Sequence, residues 1–391
     1  MVVPAHIQTL LDRMDEVGEV GYLVGGCLRD SLLGLTPHDF DIATSARPER
    51  TVEIFSDYRV IPTGIRHGTV TVMADDCPVE ITTFRIDGTY TDSRHPDSIR
   101  FADRVNEDLA RRDFTVNAMA YHPTRGLVDL FGGKEDLNAK LIRAVGDPAT
   151  RFSEDALRIL RAFRFSAQLG FFIHPDTLSG AEQTREGLSQ IAKERIASEW
   201  LRLVASPSPS QPIRQMISLG ILPYITGSYT PSERLLALLS HAPSNTDARL
   251  GLLFAETSEE ELRQSLTALK CSNRQVTGAL AVRRGALLTV TSPKDAGRFR
   301  AATGCYASDA IAVSVLLGHS PKEATEWIRQ STAPCRVTDL ALTGRDLSAL
   351  GFAGKEIGEI LSRLLTQAME EPSLNRREIL LSLAKQMNSK K

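Results

Sequence analysis

The sequence predicts an α+β fold: a small α/β unit with an antiparallel or mixed sheet, followed by an all-α remainder. Three observations lead there. Up to residue 142, short alternating or β-branched runs at 22–24, 39–42, 68–73 and 78–85 interleave with short amphipathic helices. From Asp155 onward the apolar period is helical to the end, interrupted only at 206–212, 227–231, 241–245, 292–294 and 332–334, with no regular repeat. Charge also changes sign along the chain. Residues 1–150 carry 16 Lys+Arg against 24 Asp+Glu, and the rest carry 30 against 24. An acidic first part that holds metal and a basic second part that holds a polyanion fit this asymmetry, as does an ordinary solvated surface.

A length of 391 residues accommodates two to four domains. With 42% hydrophobic and 24% charged residues the composition is that of an ordinary globular protein. No apolar run approaches the roughly 18–20 residues of a membrane span. The first residues carry Asp12 and Arg13 where a leader would have an apolar stretch, so neither membrane nor leader is expected. Cys27, Cys77, Cys271, Cys305 and Cys335 are odd in number, far apart and never form a CxxC. A disulfide framework or zinc site is not expected, and a reducing cytoplasm is.

In order, residues 5–18 present Ile7, Leu10, Leu11, Met14 and Val17 at helical spacing. Residues 22–24 read as a strand, Gly25 and Gly26 as a tight turn, and 27–33 as a helix. An alternating strand with Asp39 and Asp41 on one face follows. Ser45 is expected to cap a helix over 47–56, and strands follow at 60–62, 68–73 and 78–85. Residues 86–100 lack periodicity and read as a mobile loop. A helix is expected over 105–121, then a turn and a short strand close the unit near 142. The last segment, 342–384, has a turn at 351–354 and two helices.

The chemistry concentrates in four places. Asp39 and Asp41 repel unless neutralised, and a divalent metal pair is the obvious candidate. Glu80, between Val79 and Ile81, is a third carboxylate on a nearby strand. A surface acid pair without a ligand is the plain alternative. The preceding Gly25-Gly26 turn exposes backbone N–H groups suited to phosphate, and Arg29 either meets a triphosphate or pairs with Asp30 within its helix. Arg111, Arg112, Asp113 and Asn117 cluster beside buried Phe114 and Met119. An Arg there meets phosphate and Asp113 accepts from ribose hydroxyls, or the charges simply solvate a core helix. Finally, Asp155, Arg158, Arg161 and Arg164 recur every three residues, with Glu154 four before Arg158. A solvent-facing ladder is the plain reading. Yet four Arg and no Lys in residues 151–164 suit planar recognition: Asp accepts from the amino group of cytosine or adenine, and Arg donates to a ring nitrogen or carbonyl.

These segments together resemble the bacterial-type tRNA nucleotidyltransferases (CCA-adding enzymes) of the polymerase-beta-like superfamily. LVGGCLRDSLLG with HDFDIAT is similar to the family's catalytic motif and RRDFTVNAMAY to its ribose-binding motif. RAVGDPATRFSEDALRILRAFRF is similar to the neck that selects the base, and LTGRDLSALGFAGKEIGEILSRLL to the tail. The resemblance implies a polymerase-beta-like head over 1–142, a helical neck over 143–205, a body over 206–310 and a tail over 311–391. It implies that Asp39 and Asp41 hold Mg²⁺ and that Gly26, Arg29 and Arg112 contact the nucleotide. It also implies that Asp155 and Arg158, supported by Glu154, read the base with Arg161 and Arg164 nearby. The expected reaction is addition of C, C and A to the tRNA acceptor end from CTP and ATP. A-only addition, CC-only addition and poly(A) synthesis are alternatives. The loop at 87–94 argues against CC-only addition, because CC-only members tend to lack it, and no basic tail supports poly(A) synthesis. A silent RNA-binding protein has no need of Asp39, Asp41, Asp155 and Arg158 together, and a small-molecule nucleotidyltransferase has none for the long helical extension. The sequence leaves the oligomeric state open.

Overall fold

The computed structural model describes residues 3–37, 39–62, 64–87 and 99–388. The chain divides into two compact units, Met1–Glu199 with Gln215–Tyr224 and Trp200–Arg214 with Ile225–Lys391.

The first unit is built on β1 (Gly21–Val24), β2 (Phe40–Thr44), β3 (Arg59–Ile61), β4 (Thr69–Ala74), β5 (Cys77–Thr83), β6 (Arg85–Asp87), β7 (Ile99–Phe101), β8 (Met119–His122) and β9 (Gly126–Asp129). Seven of them form one sheet in the order β3-β4-β5-β2-β1-β8-β9, while β6 and β7 pair separately. Only the β2–β5 pairing in the large sheet is parallel, so the sheet is mixed as expected. Alternation along the strands buries both faces. Leu23, Ile42, Val70, Val72, Val79 and Ile81 face one way and pack on Ile7, Leu10, Leu11 and Met14 of α1 (Ala5–Glu16). Val24, Ala43 and Ala120 face the other way, toward Phe84 and Leu109. By the same alternation Asp41 and Glu80 share this second face.

Three local expectations are corrected. Ser45 does not cap α3 (Pro48–Ile54): Arg47 is the capping residue, without a side-chain hydrogen bond, and Pro48 opens the helix. The Ser45 hydroxyl instead accepts from the Val20 amide and donates to Glu19. The expected helix over 105–121 is only α4 (Val105–Ala110). A turn and a short 3₁₀ segment, Thr115–Asn117, then lead into β8. Its apolar residues Met119 and Ala120 are buried on both sheet faces, a pattern that periodicity does not separate from a core helix. The helix expected from Glu154 to Arg164 is two helices, α6 (Pro148–Glu154) and α7 (Leu157–Leu169), parted at Asp155. Residues 88–98 of the expected mobile loop lie outside the described residues, and its two ends belong to β6 and β7. Residues 133–138 form α5 (Gly133–Asn138).

The second unit is helical. Its helix Asn273–Ala286 packs between Thr246–Leu253 and Ala307–Leu316. Gly251 permits the close crossing, since a Cβ there would meet Val282 Cγ1 at 2.5 Å. A separate core joins Leu347, Phe352, Ile360, Leu364, Leu380 and Ala384 near the C-terminal end. There Asp346 accepts from the Thr343 amide at 2.8 Å and from Arg377 at 2.6 Å. The Thr343 amide first, then Arg377, hold its carboxyl down to about 2. A carboxyl lowered by folding stabilises the fold above its unfolded value and loses that contribution as pH falls through about 2. Acid titration followed at the Thr343 amide is expected to show the cap opening near pH 2 in the wild type. Asp346→Asn removes the charge and is expected to flatten that transition.

Candidate active site

The reactive cluster follows from the strand register. In the parallel β2–β5 pair Asp41 stands directly opposite Glu80, and on the other side of β2 it stands opposite Val24 of β1. Val24 leads into Gly25, which has φ 72° and ψ −135°, a conformation restricted essentially to glycine. A Cβ on Gly25 would lie 3.4 Å from Arg112 Nη1 and 3.7 Å from Asp41 Oδ2, so the turn, the guanidinium and the carboxylate meet at one point. Gly26 opens α2 (Gly26–Leu32) and its backbone lies near the Arg29 guanidinium. Asp39 sits one residue before β2 begins and is exposed.

The electrostatics of Asp41 are unfavourable on their own. Burial and the neighbouring Glu80 raise its carboxyl to about 6, Asp39 adds to the rise, and Arg112 opposes it. Among the described residues no three His, Cys, Asp or Glu side chains converge as a ready-made metal cage. Half-buried Asp41 is repelled by the exposed Glu80 and Asp39, with Arg112 as the opposing cation, and a divalent ion would relieve that repulsion.

The sugar and phosphate candidates form a second layer. Arg112 donates to Asp108 Oδ2 at 3.0 Å and to the Asn117 carbonyl at 3.4 Å. Asp108 is buried and also accepts from Arg111 at 2.6 Å. Burial would raise its carboxyl, yet Arg112 and Arg111 together hold it below the usual range. Asp108 therefore fixes both guanidinium groups. Its i,i+3 and i,i+4 spacing to them is the sequence signal for this role. Arg29 donates to Asn117 Oδ1 at 2.8 Å while pairing with Asp30 at 2.7 Å, so the expected pairing within its helix is present and a second contact ties it to Asn117. Asn117 Nδ2 lies 3.4 Å from Asp113 Oδ1. Asp113 is buried and bound by Arg161 at 2.6 Å and by the Phe114 amide at 2.9 Å.

Residues 154–164 are not a solvent-facing ladder. Asp155 breaks the helix: its Oδ1 accepts from the Leu157 amide at 3.0 Å to start α7, and Oδ2 accepts from Arg195 at 2.8 Å. Arg158 is buried, donates to the Arg151 carbonyl at 3.0 Å and forms the expected pair with Glu154 at 2.5 Å. Arg164 is buried against Glu199 at 2.5 Å and donates to Gln168. Burial lowers its ionisation and Glu199 offsets that. Arg195 and Glu199 lie on the helix Lys193–Val204, and nothing local in the sequence marks them as partners of residues 35 and more positions earlier.

Residues 21–143 match the poly A polymerase head domain, and residues 170–228 match the probable RNA and SrmB-binding site of polymerase A. The CCA-adding enzyme of Limosilactobacillus fermentum is 37% identical over 381 residues, covering 96% of this chain and 95% of that protein. That of Enterococcus faecalis is 35% identical, covering 95% and 93%. The crystal structure of Bacillus stearothermophilus CCA-adding enzyme in complex with CTP superposes with a TM-score of 0.80 at 30% identity, covering 99% of both chains. With identity above 30% across nearly its whole length, the chain belongs to the CCA-adding enzyme family.

Proposed function

We propose that the protein adds C, C and A in order to the 3′ end of tRNA from CTP and ATP. The observation that carries this reading is the Asp41–Glu80 register beside the Gly25–Gly26 turn, in a chain alike end to end to CCA-adding enzymes. Asp39 and Asp41 hold Mg²⁺, and Glu80 is the third catalytic carboxylate. Mg²⁺ suits a site with one or two carboxylates, because it commonly completes its shell with water and substrate phosphate. When bound it supplies charge neutralisation for the attacking hydroxyl and the departing pyrophosphate.

The chain's own residues orient the nucleotide. Gly26, Arg29 and Arg112 face the phosphates, and Asp113 with Asn117 set the sugar side of the pocket. Asp155 and Arg158 read the base, with Glu154 holding Arg158 in place and Arg161 and Arg164 behind them. Each Asp155 oxygen has one donor, and a carboxylate oxygen offers two lone-pair directions, so the amino group of cytosine or adenine finds an acceptor. Uracil and guanine present a carbonyl there, at a cost of about 1–3 kcal/mol. Residues 1–142 serve as head, 143–205 as neck, 206–310 as body and 311–391 as tail, the last two gripping the acceptor arm. The cytoplasm is the proposed location, in keeping with five free thiols.

The test supplies CTP and ATP separately to tRNA ending at the discriminator base, at C and at CC. Stepwise C, C and A addition is expected, with UTP and GTP refused. Addition of A to CC-ended tRNA alone would overturn the reading in favour of A-only synthesis.

A further inference from the structure

Phe165 is absent from the chemistry above, yet three arginines converge on its ring. The guanidinium carbons of Arg164, Arg161 and Arg29 lie 4.0, 5.3 and 5.4 Å from its centroid. The ring is 7% exposed, and Phe114 meets it edge-on at 5.8 Å. Each arginine has its own carboxylate: Asp30 for Arg29, Asp113 for Arg161 and Glu199 for Arg164. The ring therefore adds a neutral, rigid surface against which three cations keep their places without consuming a further acid.

The contacts close into a circuit. Arg29 donates to Asn117, Asn117 reaches Asp113, Asp113 binds Arg161, and Arg161 and Arg29 both approach Phe165. Residues from α2, from the turn at 113–117 and from α7 are thereby fixed against one another. Asp155 and Arg158 stand outside the circuit, held by Arg195 and by Glu154.

We infer that Phe165 is a positioning residue for nucleotide affinity, holding Arg29 for the triphosphate and, through Arg161 and Asp113, the sugar side of the pocket for CTP and ATP alike, without a part in choosing between bases. The inference rests on the nucleotide roles proposed for Arg29 and Asp113. In the full-length protein, Phe165→Leu keeps an apolar side chain and removes the π face. It is expected to raise KM for CTP and for ATP by about tenfold each, leaving kcat within about twofold and the refusal of UTP unchanged. Phe165→Tyr restores an aromatic face and is expected to recover most of the affinity. Phe165→Met, unbranched and similarly apolar, replaces Phe165→Leu if that variant melts early. Unchanged KM in a folded variant lacking the ring, an equal rise in Phe165→Tyr, a loss confined to kcat, or a rise for one nucleotide only overturns the inference. Failure of the wild type to add C and A at all sinks the underlying reading instead, so the two failures are distinguishable.

Discussion

Asp41→Ala is expected to abolish nucleotide incorporation, by about 10³-fold or more, while tRNA binding is unchanged. Metal charge stabilisation is worth several kcal/mol in this class of reaction, and each 1.36 kcal/mol is tenfold in rate. Asp41 is the carboxylate on which the geometry converges: Glu80 stands opposite it, and Gly25 and Arg112 lie against it. Asp41→Asn separates function from stability. The folded carboxyl titrates near 6 against an ordinary value of 3.8, so the folded state holds its proton more tightly than the unfolded state. Stability then falls as pH rises from 3.8 through 6 and stays lower above that, the opposite sign to a carboxylate paired with a cation. At pH 7.5 without divalent ions, Asp41→Asn is accordingly expected to melt higher than the wild type while remaining inactive. Adding Mg²⁺ should raise the wild-type melting temperature and leave that of Asp41→Asn nearly unmoved. Melting curves at two pH values, with and without Mg²⁺, measure all of this; equal Mg²⁺ stabilisation of both proteins would remove Asp41 from the metal site.

The reacting centre was legible because its determinants are local or periodic. An Asp-x-Asp at a strand start, a Gly-Gly turn and a Glu between two apolar residues each read from a few neighbours, and strand alternation then set Asp41 and Glu80 on one face. Asp39 shows the limit of this reading, since the strand starts one residue after it. The stretch 154–164 was half legible. Glu154 and Arg158 lie four apart and their pairing follows from helix geometry. The break at Asp155 did not, because it depends on a side chain accepting from the Leu157 amide in place of continuing the helix. Residues 111–121 depart from the expected helix for a related reason: Met119 and Ala120 are buried from both sides of the sheet, so the strand has no alternating signature. What no local pattern supplied were the partners brought from afar, Arg195 for Asp155, Glu199 for Arg164, and one phenyl ring for three arginines. Those pairings are products of packing, and the sequence states only their chemical types.

Glu199→Ala is expected to be the most destabilising single substitution among the charged residues around 154–199. The Arg164 and Glu199 side chains are 7% and 8% exposed, with Nε to Oε2 at 2.5 Å. Removing one partner of a buried ion pair leaves the other charge uncompensated, at a cost of about 3–5 kcal/mol. Gln168 offers Arg164 one neutral acceptor and Phe165 a ring face, neither of which replaces a full negative charge. For a unit of this size the cost corresponds to a melting temperature lower by roughly 6–20 °C. Replacing the pair together, Arg164→Met with Glu199→Leu, removes both desolvation penalties and fills similar volume, so stability is expected to return to within about 1 kcal/mol of wild type or to exceed it. The double variant also decides what Arg164 does. If its charge serves only to satisfy Glu199, the stable double variant adds C, C and A with unchanged KM. If the charge contributes to the nucleotide pocket through its place beside Phe165, the double variant folds well and binds CTP and ATP more weakly. A Glu199→Ala protein that melts within about 1 kcal/mol of wild type would show that water reaches Arg164 and that the pair is not closed.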